Sequence, residues 1–299
     1  MDSTIYFGKV YIIEWLEPND AKTGWDLYGE LEPMGIMSKP PIAVAFKRVT
    51  TRGEFIAHLR WIQDDFKDTK ALPLLHIETH GIATEPEGGP HGIGTSSHDC
   101  VLWPDLMQEL IPLNQLTQLR LFVVLAACEG MWGMKMLHPT ERAAFLVLLG
   151  PDKTIKPGPL AKAMQTFYRM MFEKRNGNAA FQAMNDTVDP AQPAFGMINA
   201  EMAFRWVYGG FLRERCTPAE IAKRAESILH AARWKYFIEH GRPMPLQAFA
   251  LLQAETQRHV ESHDEYFIRM RRDYFFIDLL PDNDKRFPIT MADCLASEM

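Results

Sequence analysis

The sequence predicts an α/β protein with a mainly parallel sheet and additional helices toward its C-terminus. Two apolar runs, Leu72-Pro73-Leu74-Leu75-His76-Ile77-Glu78-Thr79-His80-Gly81 and Leu121-Phe122-Val123-Val124-Leu125-Ala126-Ala127-Cys128-Glu129-Gly130, are short and end at turn residues. Such runs read as strands buried on both faces of a parallel sheet. Stripes of helical period separate the strands, which is the alternation of an α/β fold. Past residue 190 the pattern turns almost wholly helical. We therefore expect a sheet domain over 1–190 and a mainly helical part over 191–299 packed on it. The 47% apolar content is enough for a sizeable core.

In chain order, Lys9 to Leu16 is apolar and β-branched and reads as the first strand, followed by a loop from Glu17 to about Pro40. Ile42 to Phe46 is a second strand. Phe55, Leu59, Ile62 and Phe66 fall on one helical stripe over Glu54–Asp68. The strand ending at His80 follows, a β-α-β unit with a right-handed crossover. A loop rich in Gly and Pro fills His80 to Trp103. Pro104 then opens a helix to about Leu113. After the strand ending at Cys128, Met131 to Leu137 supplies a helical turn or two. Ala144–Leu149 reads as another strand, closed by Gly150-Pro151. Leu160, Ala163, Met164, Phe167 and Met171 mark a helix to about Arg175, with a shorter piece over Ala179–Asn185. Further helices are expected over Asn199–Leu212, from the capping box Thr217-Pro218-Ala219-Glu220 to about Glu239, and over 246–272. Tyr274–Leu280 reads as a last strand or a docked tail.

Composition narrows the function. A net charge of −6 and a pI near 5.9 argue against a direct nucleic-acid partner or an anionic membrane surface. No apolar run approaches the roughly 18 residues that span a bilayer, and Met1-Asp2-Ser3-Thr4 offers no basic leader. The four cysteines are scattered without a Cys-x-x-Cys pair, so a reducing, cytoplasmic setting is expected rather than a disulfide scaffold.

Chemistry concentrates at the two strand ends, since ligands of open α/β sheets bind beyond the carboxyl ends of the strands. Cys128 is the candidate nucleophile and His80 the candidate base toward its thiol and acid toward the leaving amine. The backbone N–H groups of Gly81 and Cys128 are candidate oxyanion donors. Glu78 could orient the base. Glu129 could make the specificity region acidic or be a hydrogen-bonded structural acid, and Asp99, Asp105, Asp152 and Glu87 are equally free to line it. His76, Glu78 and His80 alternate along one strand face, which supports a rival metal-dependent hydrolase with a further ligand from His91, His98 or Cys100. A third reading keeps the fold but makes it an inactive interaction module. Arg269-Met270-Arg271-Arg272 is a short basic run, either a solvated helix face or a docking patch.

Ala127-Cys128-Glu129-Gly130, with His80 upstream, matches the caspase signature of Gln-Ala-Cys-[Arg/Gln/Gly]-Gly and a His roughly 50 residues before it, except at Ala126 and Glu129. Between about Leu74 and Asn185 the chain resembles bacterial CHAT-type members of the caspase-like clan. The matching features are the His80-Gly81 strand end, the Gly92-Ile93-Gly94 turn, Trp103, the Ala-Cys-x-Gly motif, Leu149-Gly150-Pro151 and Phe167-Tyr168. The resemblance implies a caspase-like three-layer α/β/α sandwich, a His80–Cys128 dyad, no cofactor or metal, and a protein or peptide substrate. Some bacterial relatives act in anti-phage defence or programmed cell death. Because Cys128 and Ala144 are close in sequence, we expect a single-chain enzyme, gated by an activating protein or ligand that orders the Glu85–Asp99 loop.

Overall fold

The computed structural model describes residues 6–83, 89–96, 98–138, 140–188 and 195–297. The chain divides into two compact units, one of 1–137 with 143–200 and one of 138–142 with 201–299.

The first unit is built on β1 (Lys9–Glu14), α1 (Thr23–Met37), β2 (Ala43–Arg48), α2 (Arg52–Thr69), β3 (Pro73–Glu78), β4 (His80–Ile82), β5 (Gly92–Gly94), β6 (Cys100–Leu102), α3 (Trp103–Leu116), β7 (Phe122–Ala126), β8 (Val147–Pro151), α4 (Pro157–Lys174), α5 (Gly177–Asn185) and β9 (Phe195–Asn199). A six-stranded sheet runs β2-β1-β3-β7-β8-β9, in which all pairings are parallel except β8 with β9. A second, antiparallel sheet of β4, β5 and β6 fills the stretch expected to be a loop.

Strand alternation sorts the core into two layers of helix. Val10, Ile12, Leu74, Phe122 and Val124 share a cluster with Leu27 and Leu31 of α1 and with Leu160, Met164 and Phe167 of α4. The intervening residues face α2, as the Tyr11 hydroxyl bonded to Asp65 and the Tyr11–Trp61 ring contact show. The result is the expected three-layer α/β/α sandwich with a mainly parallel sheet.

Three local expectations are corrected. Residues 23–37 form α1 rather than loop, despite Pro33 within the helix; Leu27, Leu31 and Gly35 give it a buried stripe. The strand placed at Ala144 starts at Val147, because Ala143, Ala144 and Phe145 are buried in the approach to the sheet rather than laddered into it. β9 extends the sheet-bearing unit to Ala200, beyond the expected limit at 190.

The second unit contains α6 (Ala200–Arg215), which starts at the unit boundary, then α7 (Pro218–His240), α8 (Leu246–Glu261), α9 (His263–Tyr274), α10 (Asn283–Arg286) and α11 (Met291–Leu295). Thr217 caps α7 by accepting from the Glu220 amide, as its sequence motif predicts. The helix expected over 246–272 breaks at Ser262 into α8 and α9. Phe275 and Phe276 are buried in turns, which realises the docked tail rather than the strand. Phe204, Tyr208, Phe267, Tyr274 and Phe275 form an aromatic core for this unit.

Candidate functional site

Because β1, β3, β7 and β8 are parallel neighbours, their carboxyl ends lie along one edge of the sheet. Asp20 follows β1, His80 follows β3, Cys128 follows β7, and residues 152–156 follow β8. The β3–β7 register pairs Glu78 with Ala126, and Thr79 donates its amide to the Ala126 carbonyl. Two residues further along each chain stand His80 and Cys128. Their backbones stay close: a Cβ built on Gly81 would lie 2.4 Å from the Cys128 carbonyl oxygen. Only glycine fits there.

His80 is partly exposed, and its Nε2 lies 2.8 Å from Asp20 Oδ2. An ionised carboxylate only accepts, so Nε2 carries the proton and the neutral ring keeps its lone pair on Nδ1. Burial raises the Asp20 carboxyl, but the hydrogen bond from His80, the Glu17 amide and the charges of His80 and Lys22 outweigh it, leaving Asp20 below its ordinary value. The Glu17 amide donates to the same Oδ2 at 2.8 Å, fixing the carboxylate within its turn.

The Cys128 thiol is half-buried and donates to the Ile155 carbonyl at 3.7 Å. The next residue, Glu129, adopts the left-handed region at φ 57° and donates its amide to the Lys153 carbonyl. The loop after β8 thereby braces both residues of the β7 turn. Gly81 sits in β4 opposite Ile93. The structure thus brings His80, Gly81 and Cys128 together at one edge, with the thiol turned to Ile155 and the imidazole to Asp20.

Glu78 does not orient His80. Its Oε2 accepts from His76 Nε2 at 2.9 Å and its Oε1 from the Thr23 hydroxyl at 2.5 Å. Tyr168 donates to His76 Nδ1 at 3.0 Å. Burial, with the nearby Glu78 charge, holds the Tyr168 phenol well above its ordinary value, so it remains a donor. Both carboxylate oxygens and both imidazole nitrogens are occupied, as buried polar groups require. The same bonds occupy two members of the rival metal set. His76 has no lone pair left to offer, His80 faces Asp20, and no group of three candidate ligands converges among the described residues.

The other specificity candidates divide. Asp99 accepts from the Arg52 amide and Asp105 from its guanidinium, so both serve the start of α2. Asp152 is exposed beyond β8. Glu87, with residues 85, 86, 88 and 97 of the proposed gating loop, lies outside the described residues.

Asp20 was the partner that the sequence left unread. The sheet order supplies the signal, because β1 neighbours β3 and an acid in the loop after β1 must fall near the end of β3.

No family model matches the chain, and no curated protein is similar to it in sequence. Among solved structures it is similar to caspase-1 from Spodoptera frugiperda. The two share 11% identity at a TM-score of 0.44, over 66% of this chain and 88% of that one. The similarity is one of fold. Among the described residues, no helix is long and apolar enough to cross a membrane.

Proposed function

We propose that the chain is a cysteine endopeptidase acting through Cys128 and His80. The observation that carries this reading is the junction of the β3 and β7 ends, where Gly81 packs on the Cys128 carbonyl while Asp20 fixes the His80 tautomer. In the proposed reaction the thiol leaves Ile155 and gives its proton to His80 Nδ1. The thiolate attacks the scissile carbonyl carbon, and the amide N–H groups of Gly81 and Cys128 receive the oxyanion. The C–N bond breaks as His80 returns the proton to the leaving amine. Water then hydrolyses the thioester, its proton passing through His80, and the thiol is restored.

Within this reading the substrate is a protein, and Glu129 is a candidate for contact with it. The CHAT-type motifs over Leu74–Asn185 support placing the enzyme in a bacterial defence or programmed-cell-death setting in the cytoplasm. Comparison of new protein N-termini in native-host lysate with wild type and with Cys128→Ala tests the proposal. Wild-type-specific cleavages at a common sequence are expected; their absence sinks the peptidase reading. The thiol's engagement with Ile155 favours a second reading, an inactive interaction module, which failure of Cys128 to react with an electrophilic peptide would support.

A further inference from the structure

The helical unit holds two adjoining cavities of about 480 and 380 Å³, within the range typical of small-molecule sites. They share Phe211, Arg224 and Tyr266 as walls. Arg269 and Glu265 line the first, and Arg215 and Tyr208 the second. Among the described lining residues, three are arginines and one is a glutamate.

Arg224 is the unusual member. Its Nε and Nη2 are buried and make no hydrogen bond, and neither does the buried Tyr208 hydroxyl. Unsatisfied buried donors cost free energy and call for an explanation. Nε–H and one Nη2–H run parallel along one edge of the guanidinium, the edge that grips a carboxylate or phosphate with two bonds. The apolar side is supplied by Phe211 and Tyr266, stacked at 5.5 Å, with the Arg224 guanidinium 5.9 Å from the Phe211 ring. Arg269, from the basic run noted in the sequence, lies 5.1 Å from the Tyr266 ring. The rest of that run is dispersed: Met270 is buried, Arg271 binds Asp284 and Arg272 binds Asp273.

We propose that this unit binds a small molecule with an oxyanion group and a flat apolar body, the oxyanion gripped by Arg224 and the Tyr208 hydroxyl and the body against Phe211 and Tyr266. Phosphate and carboxylate share the chemistry that this edge recognises. Burial holds the Tyr208 phenol above its ordinary value, so it is a standing donor.

Calorimetric titration of the full chain with phenyl phosphate, benzoate and inorganic phosphate tests the site. Saturable binding of phenyl phosphate or benzoate is expected, and which of them binds identifies the anion. Inorganic phosphate should bind at least tenfold more weakly than the aryl probe that binds. Arg224→Lys keeps the charge but loses the two-pronged edge and should weaken binding tenfold or more. Tyr208→Phe should weaken it several-fold, and Cys128→Ala should leave it unchanged. Absence of saturable binding by both aryl probes overturns the proposal, as does a wild-type Kd in Arg224→Lys. Should Arg224→Lys not fold, a wild-type Kd in Tyr208→Phe overturns it instead.

Discussion

A methyl group on Gly81 would lie 2.4 Å from the carbonyl oxygen of Cys128 and 2.9 Å from Pro90 Cγ. The first neighbour is backbone and cannot yield without moving the β7 turn. Gly81→Ala should therefore destabilise the fold by about 1–3 kcal/mol, the usual cost of overpacking, and reduce peptidase turnover more than that loss explains. Urea unfolding beside single-turnover kinetics separates the two effects. An unperturbed variant of wild-type activity would show that the contact does not set the site.

Cys128→Ala or His80→Ala should each abolish turnover, because groups that act as one unit lose nearly everything together. Retention of more than about a tenth of wild-type turnover, roughly 1.4 kcal/mol of barrier, would remove the dyad. Asp20→Asn should cost on the order of 10- to 1000-fold, since an amide can hold His80 in the other tautomer. Its stability effect has a defined sign in pH. The Asp20 carboxyl is lowered in the folded state, mainly by His80 against the opposing effect of burial. The stability it contributes is thus present above its unfolded value, about 3.9, and is lost as pH falls through the lower folded value. Wild type and Asp20→Asn should differ at pH 7 and converge in acid, as thermal unfolding across pH can check.

The strand ends that carry Cys128 and His80 were legible because a buried strand announces itself by continuous apolar residues and ends at a turn former. Asp20 was not, since its link to His80 exists only once β1 and β3 are neighbours. Glu78 misled for a related reason. Strand alternation placed it on the face of His80, but α1, hidden in the sequence by Pro33 and scattered glycines, delivers Thr23 to that carboxylate. β9 was masked by Gly196 and by the stronger helical signal just after it.

The His76 network should be structural. Tyr168→Phe removes the donor to His76 Nδ1 inside a closed core. An orphaned buried acceptor costs about 1–3 kcal/mol. Denaturation should show that loss while turnover at low temperature stays within about twofold of wild type. A large drop in turnover with unchanged stability would return His76 to the chemistry.

Cysteine reactivity should rank with environment. Burial pushes the Cys294 thiol up to about 12 and raises Cys100 as well. Thiolates are the reactive species, so Cys294 should alkylate last and Cys128, half-buried at the sheet edge, should outpace Cys100. Mass-spectrometric time courses with iodoacetamide near pH 7 decide this. Labelling of Cys100 ahead of Cys128 would mean that His80 gives the thiol no assistance.

Activation without excision is the last expectation. Were the enzyme matured by cutting after the nucleophile, the segment between β7 and β8 would have to be accessible. Gly130–Met136 forms a 3-10 helix against the sheet, and beyond it only His138, Thr140 and Glu141 are exposed among the described residues before β8. Gly130 and Met136 are buried, and a Cβ on Gly133 would lie 2.6 Å from the Leu125 side chain. A protease needs several residues of extended, exposed chain, and a packed helical turn must first unfold locally to supply them. Active enzyme should therefore remain one chain, which intact-mass analysis of a peptide-turnover-competent sample will show. Activity that appears only with a cut between Gly130 and Ala144 would replace single-chain gating with excision, and a thrombin site inserted after Leu137 would then switch the enzyme on.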